Sequence, residues 1–158
     1  MDAYSNIMKT LVIVRHAHAL PGYEAGVNSD AERPLSAEGR EKASVTAARL
    51  NQLGITPGLI ITSPLLRAEQ TACILAETLC APVEKSFELN GLKDEQDVCD
   101  FLKEQLNRTD CILAVGHNPN VTYVTHLLAG QVRTFLPGSF AVINLDNPAV
   151  PQLTYFGE

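Results

Sequence analysis

The stretch Thr10-Leu11-Val12-Ile13-Val14-Arg15-His16-Ala17-His18-Ala19 runs four apolar residues directly into one guanidinium and two imidazoles. Leu11, Val12, Ile13 and Val14 are mostly β-branched and do not alternate with polar residues, which fits a central strand buried on both faces rather than an edge strand. In open α/β sheets ligands bind beyond the carboxyl ends of the strands, so Arg15 and His16 stand where a reacting group would sit. Strict extension would point the two to opposite faces. The backbone must therefore turn near Arg15 if both are to meet one ligand.

Two later stretches repeat the pattern. Residues 58–62, Gly-Leu-Ile-Ile-Thr, read as a short buried strand, and Ser63-Pro64 as an N-cap followed by proline at the first position of a helix running to about residue 80. Arg67 then lies in the first turn, where the positive pole of the helix dipole disfavours a cation by roughly 0.3–1 kcal/mol. A bound anion would reverse that sign; the bland alternative is an exposed arginine beside Glu69 or Glu88. Residues 111–116 read as another central strand, ending at His117-Asn118-Pro119, where Asn118 can cap and Pro119 can occupy the first turn of a helix over 121–128.

The intervening segments complete an alternating pattern. Residues 17–35 form a long loop, too polar and too broken by Pro21-Gly22 and Asn28-Ser29-Asp30 to be a core element. Ser36 caps a helix over 37–53, with Gly54 just past its end and Ala43, Ala47 and Leu50 on its inner face. Residues 82–86 are a weak edge strand and 87–91 a connecting loop. Residues 94–106 are an amphipathic helix, apolar through Val98, Phe101, Leu102 and Leu106. Two strands, 139–145 and 152–156, close the chain as a hairpin around Asp146-Asn147-Pro148. The alternation predicts a three-layer α/β/α sandwich whose central sheet is mostly parallel, with an antiparallel C-terminal edge.

The chain has 158 residues, 46% hydrophobic and 19% charged, which fits a single domain over 1–158. No apolar run approaches the ~18 residues needed to span a membrane, and residues 1–6 lack the basic segment and apolar core of a secretory signal, reading as a short lead-in. A net charge of −6 argues against a nucleic-acid-binding surface, so an anionic ligand must be held by a local basic site. Cys73, Cys80, Cys99 and Cys111 form no C-x-x-C pair and read as reduced thiols of a cytoplasmic protein. The expectation is a monomer with no membrane or nucleic-acid partner.

Three strand ends thus deliver Arg15 and His16, then Ser63 and Arg67, then His117. Arginine forks match phosphate oxygens and histidine can attack phosphorus. Arg15-His16-Ala17-His18-Ala19, the run from Thr62-Ser63-Pro64 through Arg67-Ala68-Glu69-Gln70-Thr71-Ala72, and Gly116-His117-Asn118-Pro119 together resemble the histidine phosphatase superfamily, with its phosphoglycerate mutase-like fold. Small size, Arg33-Pro34-Leu35-Ser36 with Gly39, and Gly-His-Asn-Pro are similar to the SixA-type phosphohistidine phosphatases; the resemblance covers residues 11 to about 145. It implies that His16 is the nucleophile, that Arg15, Arg67 and His117 hold the phosphoryl oxygens, that Arg33 reaches the same pocket, and that neither metal nor other cofactor is needed. The substrate so implied is phosphohistidine on a signalling or phosphocarrier protein, or else a small phosphate ester.

The sequence departs from the wider family at Ala17, where glycine is usual, and in lacking the long insertion that carries an acidic proton donor. Glu88 alone stands in a comparable place, as a general acid or as a plain loop carboxylate. Phosphohistidine asks less of an acid than an alkoxide leaving group does, so the missing insertion favours it over sugar phosphates. His16-Ala17-His18 also has the H-x-H spacing of metal ligands, which keeps a metallohydrolase as a rival. Otherwise His18 is a pocket-wall or solvent residue, and His126 is structural or on the surface. A non-catalytic phosphate-binding module would be expected to have lost the nucleophile or a cation, and neither is lost.

Overall fold

In the computed structural model, which describes residues 9–158, the apolar run forms strand β1 (Thr10–Arg15). The lead-in expected at residues 1–6 lies outside the described residues. β1 pairs in parallel with β4 (Cys111–Gly116) and antiparallel with β5 (Phe140–Asn144), so its backbone is bonded on both edges. Its side chains are buried on both faces as well: Leu11 and Ile13 join one apolar cluster, Val12 and Val14 the other. An uninterrupted apolar run is what this double burial requires.

The sheet has six strands in the order β3-β2-β4-β1-β5-β6, where β2 is Leu59–Thr62, β3 Val83–Lys85 and β6 Gln152–Gly157. β3, β2, β4 and β1 are mutually parallel, and the C-terminal hairpin supplies the antiparallel edge. Helices α2 (Ala37–Gln52) and α3 (Leu66–Leu79) cover one face through Ala47, Leu50, Ala72 and Leu75; α4 (Glu95–Gln105) and α5 (Asn120–Ala129) cover the other through Val98, Leu102, Val121 and Val124. The expected three-layer sandwich is the observed one. The parallel connections bring the carboxyl ends of β1, β2 and β4 to one side, where all three motif segments emerge.

Local chemistry sets the element ends, with four departures from the sequence reading. Ser36 caps α2 as expected, its hydroxyl accepting from the Gly39 N–H at 2.9 Å, and Asp94 caps α4. α3 starts at Leu66 rather than at Pro64, because Pro64 and Leu65 stay outside the helix and Leu65 is extended (φ −67°, ψ 138°). Asn118 does not cap α5: its amide donates to the Phe135 carbonyl and its oxygen accepts from Thr122, leaving Pro119 as the flanking residue. The loop over 17–35 is more ordered than expected. It contains a one-turn helix α1 (Gly22–Ala25), a 3-10 turn at Asp30–Glu32 and a bridge between Ala19 and Leu35. The connecting segment after β3 likewise contains a 3-10 turn, Phe87–Leu89.

Candidate active site

Where β1 leaves the sheet, the His16 N–H donates to the Gly116 carbonyl at 3.0 Å, and the Gly138 N–H reaches the Arg15 and His16 carbonyls at 3.0 and 3.2 Å. Held between the end of β4 and the loop before β5, Arg15 and His16 both line one cleft of about 650 Å³, together with Arg67, His117, Asp30 and Asn118. That meets the requirement of a turn near Arg15. Ala17, in the position where glycine is usual, is fully buried and donates its N–H to Thr71 Oγ1 at 3.1 Å. Cys80 is the one non-glycine residue with positive φ among the described residues, so the backbone at Ala17 is one that alanine adopts without strain.

The two imidazoles lie 5.0 Å apart between centroids, tilted by 58°. His16 Nδ1 is 2.7 Å from the Ala17 carbonyl, which can only accept, so Nδ1 carries the hydrogen and Nε2 keeps its lone pair. Burial, then the nearby Arg67, Arg15 and Arg33, push the His16 pKa down to about 4 against the opposing pull of that carbonyl. His117 is pushed down to about 3, by burial first and then by His16 and Arg67. Its Nε2 lies 2.7 Å from Ser63 Oγ, which in turn accepts from the Leu65 N–H at 3.2 Å. Both rings are therefore neutral at pH 7.

Arg15 donates through Nη1 to the Phe135 carbonyl at 2.7 Å, while its Nε is buried with no hydrogen-bond partner among the described residues. Burial holds this guanidinium below its usual pKa. Arg67, only 9% exposed, donates from Nη1 to the Asp30 carbonyl at 2.9 Å and from Nη2 to Asp30 Oδ2 at 3.0 Å. Hydrogen bonds from Arg33 and Arg67 keep the Asp30 carboxyl below the usual range, so it is an ionised acceptor. Two guanidiniums, Arg33 and Arg67, thus hold one carboxylate at the edge of a cleft that Arg15 also lines, in an otherwise acidic chain. Such a site suits an oxyanion, which would satisfy the orphaned Arg15 donor and compete with Asp30 for Arg67.

Residues 11–93, just over half of the chain, match the sequence profile of the histidine phosphatase superfamily (branch 1). The chain belongs to the histidine phosphatase superfamily. Its structure superposes on the protein histidine phosphatase SixA in complex with tungstate with a TM-score of 0.85, at 26% identity over 94% of this chain and 96% of that one. An uncharacterised protein of Picosynechococcus is 36% identical over 109 residues, 66% of this chain and 64% of that relative. The mitochondrial serine/threonine-protein phosphatase Pgam5 of Drosophila ananassae is 36% identical over 75 residues, 48% of this chain and 25% of its own length. The match thus spans less than two thirds of either curated relative. The chain is thus a member of the histidine phosphatase superfamily with a fold similar to that of SixA.

Of the six residues singled out in this chain, four border the cleft and two do not. Arg33 is committed elsewhere: its Nε donates to the Leu20 carbonyl at 2.8 Å and its Nη1 to Asp30 Oδ1 at 3.0 Å, so it braces Asp30 and is not part of the cleft lining. Glu88 lines a separate, small apolar cavity behind His117, with Ile13, Leu89, Val98 and Val124. Arg67 pairs with Asp30, not with Glu69 or Glu88; the Glu69 carboxylate lies 3.8 Å from Lys85. His18 borders a different surface cleft and meets Ser36 Oγ at 2.8 Å, so His16 and His18 do not converge as H-x-H ligands would. Among the described residues no three His, Cys, Asp or Glu side chains are grouped to hold a metal ion, and no helix is long and apolar enough to cross a membrane. His126 is exposed on α5. The residue that sequence reading missed is Asp30, whose one local signal is the i,i+3 spacing to Arg33.

Proposed function

We propose that this chain hydrolyses phosphohistidine on a signalling or phosphocarrier protein, through a covalent intermediate on His16. The observation that carries the reading is the Ala17 carbonyl on His16 Nδ1, which leaves Nε2 as an unprotonated nucleophile beside two guanidiniums. Nε2 attacks phosphorus, the bond from phosphorus to the substrate imidazole breaks, and Arg15, Arg67 and His117 hold the equatorial oxygens while charge spreads over them. The departing imidazole leaves as a neutral base because its distal nitrogen, turned to solvent, has taken a proton from water before the bond breaks. Water then attacks the phosphohistidine in line, the His16 nitrogen recovers its lone pair, and inorganic phosphate is released. Ser63, 2.7 Å from His117 Nε2, fixes that ring's orientation.

Substrate choice rests on the acids. Asp30, the carboxylate in the cleft, is held ionised by Arg33 and Arg67, and Glu88 is not among the residues that line the cleft. With no proton donor beside the leaving group, a good leaving group is favoured. The test is a brief incubation with labelled phosphohistidine donor followed by quenching: the parent chain should carry an acid-labile, base-stable label that His16→Ala lacks. Label persisting in that variant would overturn the assignment. Turnover should also survive exhaustive chelation, and an absolute need for added zinc or manganese would contradict the mechanism.

A further inference from the structure

The wall of the cleft formed by the segment after β3 is apolar where water meets it. Phe87 is 73% exposed and Leu92 87% exposed, yet both line the cleft that holds His16, with Asn90 and Gly91 between them. Gly91 has φ +90°, and the Cβ it lacks would lie 3.5 Å from the His117 ring, so this turn packs directly on the site. The same cleft is also lined by Ser29, Asp30 and Ala31, which offer polar and charged contacts instead. A small phosphate ester held among Arg15, Arg67 and His117 would give these two large side chains nothing to cover them.

We propose that Phe87 and Leu92 form an apolar lip that grips the surface around a phosphorylated histidine on a folded partner protein. Their role is to favour protein-borne phosphohistidine over the free amino acid. The inference rests on the proposed phosphohistidine reading and adds to it the surface that recognises the protein. Two features point to a protein as occupant. The lip is continuous with the reacting cleft, so whatever covers it must be joined to the phosphoryl group in His16's reach. Phe87 and Leu92 are also exposed well beyond what a phosphoryl group held at Arg15 and Arg67 would cover, so apolar burial against a larger surface has to supply the contact. Burying much of a Phe and a Leu is enough to change affinity by tenfold or more.

The experiment compares three substrates: a histidine-containing phosphotransfer domain phosphorylated on its histidine, free phosphohistidine, and p-nitrophenyl phosphate. The parent chain should favour the domain over free phosphohistidine by at least about tenfold in kcat/KM. In Phe87→Ser/Leu92→Ser, both at exposed positions, that preference should collapse through a raised KM for the domain, with both small substrates within about twofold of the parent. Val150→Ser is the control: it is 57% exposed but sits in the β5–β6 turn at the opposite end of the sheet, and it should change nothing. A parent without the preference, or a double variant that keeps it, overturns the lip while leaving the His16 mechanism intact. A parent that hydrolyses p-nitrophenyl phosphate but neither phosphohistidine form overturns the substrate reading, and the lip with it.

Discussion

His16 and His117 are the residues whose chemistry depends most on where the fold puts them. Burial holds both well below the ordinary histidine value, at about 4 and about 3. The acid limb of kcat/KM, once the substrate's own ionisation is divided out, should therefore fall near pH 4–5 and not near 6.5; a limb at 6.5 would mean that His16 is solvated in the free enzyme. The same shifts set a stability trend. Above about pH 6.5 folded and unfolded chains both hold neutral rings, and below it the unfolded chain takes up protons that the folded chain refuses. Stability should thus decline as pH falls from about 6.5 towards 4. In denaturant titrations at pH 7.5 and 5, His117→Asn should show a smaller drop than the parent, by up to about 2 kcal/mol. Asp30 makes an opposite kind of prediction. Its carboxylate competes with any oxyanion for Arg67, so Asp30→Asn should tighten inhibition by inorganic phosphate about two- to fivefold. It should also lower kcat, because Arg67 and Arg33 lose their shared anchor.

At the scale of elements, the first turn of α2 is wedged against the loop that follows β1. A Cβ on Gly39 would collide with the His18 backbone carbonyl, and the same turn carries the Ser36 hydroxyl that meets His18. Alanine is the better helix former by about 1 kcal/mol, but overpacking against backbone costs about 1–3 kcal/mol and should win. Gly39→Ala is expected to lower Tm by several degrees, and an unchanged or higher Tm would show that the loop yields freely. Elements governed by local pattern were legible in the sequence: the double burial of β1, the Ser36 cap, the amphipathic α4 and the C-terminal hairpin. The two misread helix starts share a cause. Ser63 and Asn118 have the side chains of caps, but the cleft has taken them for other partners, His117 for one and the Phe135 carbonyl for the other. Asp30 was illegible because its partner Arg67 is 37 residues away, a distance no local spacing rule reaches. Glu88 and Arg33 were placed by chain position alone, which does not fix where a side chain points.

At the scale of the molecule, only residues 86–94 join β3 to α4, and a link this short cannot build a cap over the cleft or carry an acid across it. Among the described residues the cleft is left open and cationic at its floor, with Asp30 as the one carboxylate that lines it. An alkoxide leaving group needs a proton at the bond that breaks, whereas an aryl oxide or an imidazole already protonated on its distal nitrogen does not, so the proposed reading implies a substrate order. Phosphohistidine and p-nitrophenyl phosphate should exceed phosphoglycerate or a sugar phosphate by at least ~10²–10⁴-fold in kcat/KM, the usual worth of general acid catalysis. Glu88→Gln separates the alternatives. Because Glu88 is not among the residues that line the cleft, the substitution should leave every substrate within about twofold of the parent. A severe loss on alkyl esters and phosphohistidine alike would mean that Glu88 swings into the cleft as a true acid, and the chain would then be a small-ester phosphatase built on the same sheet.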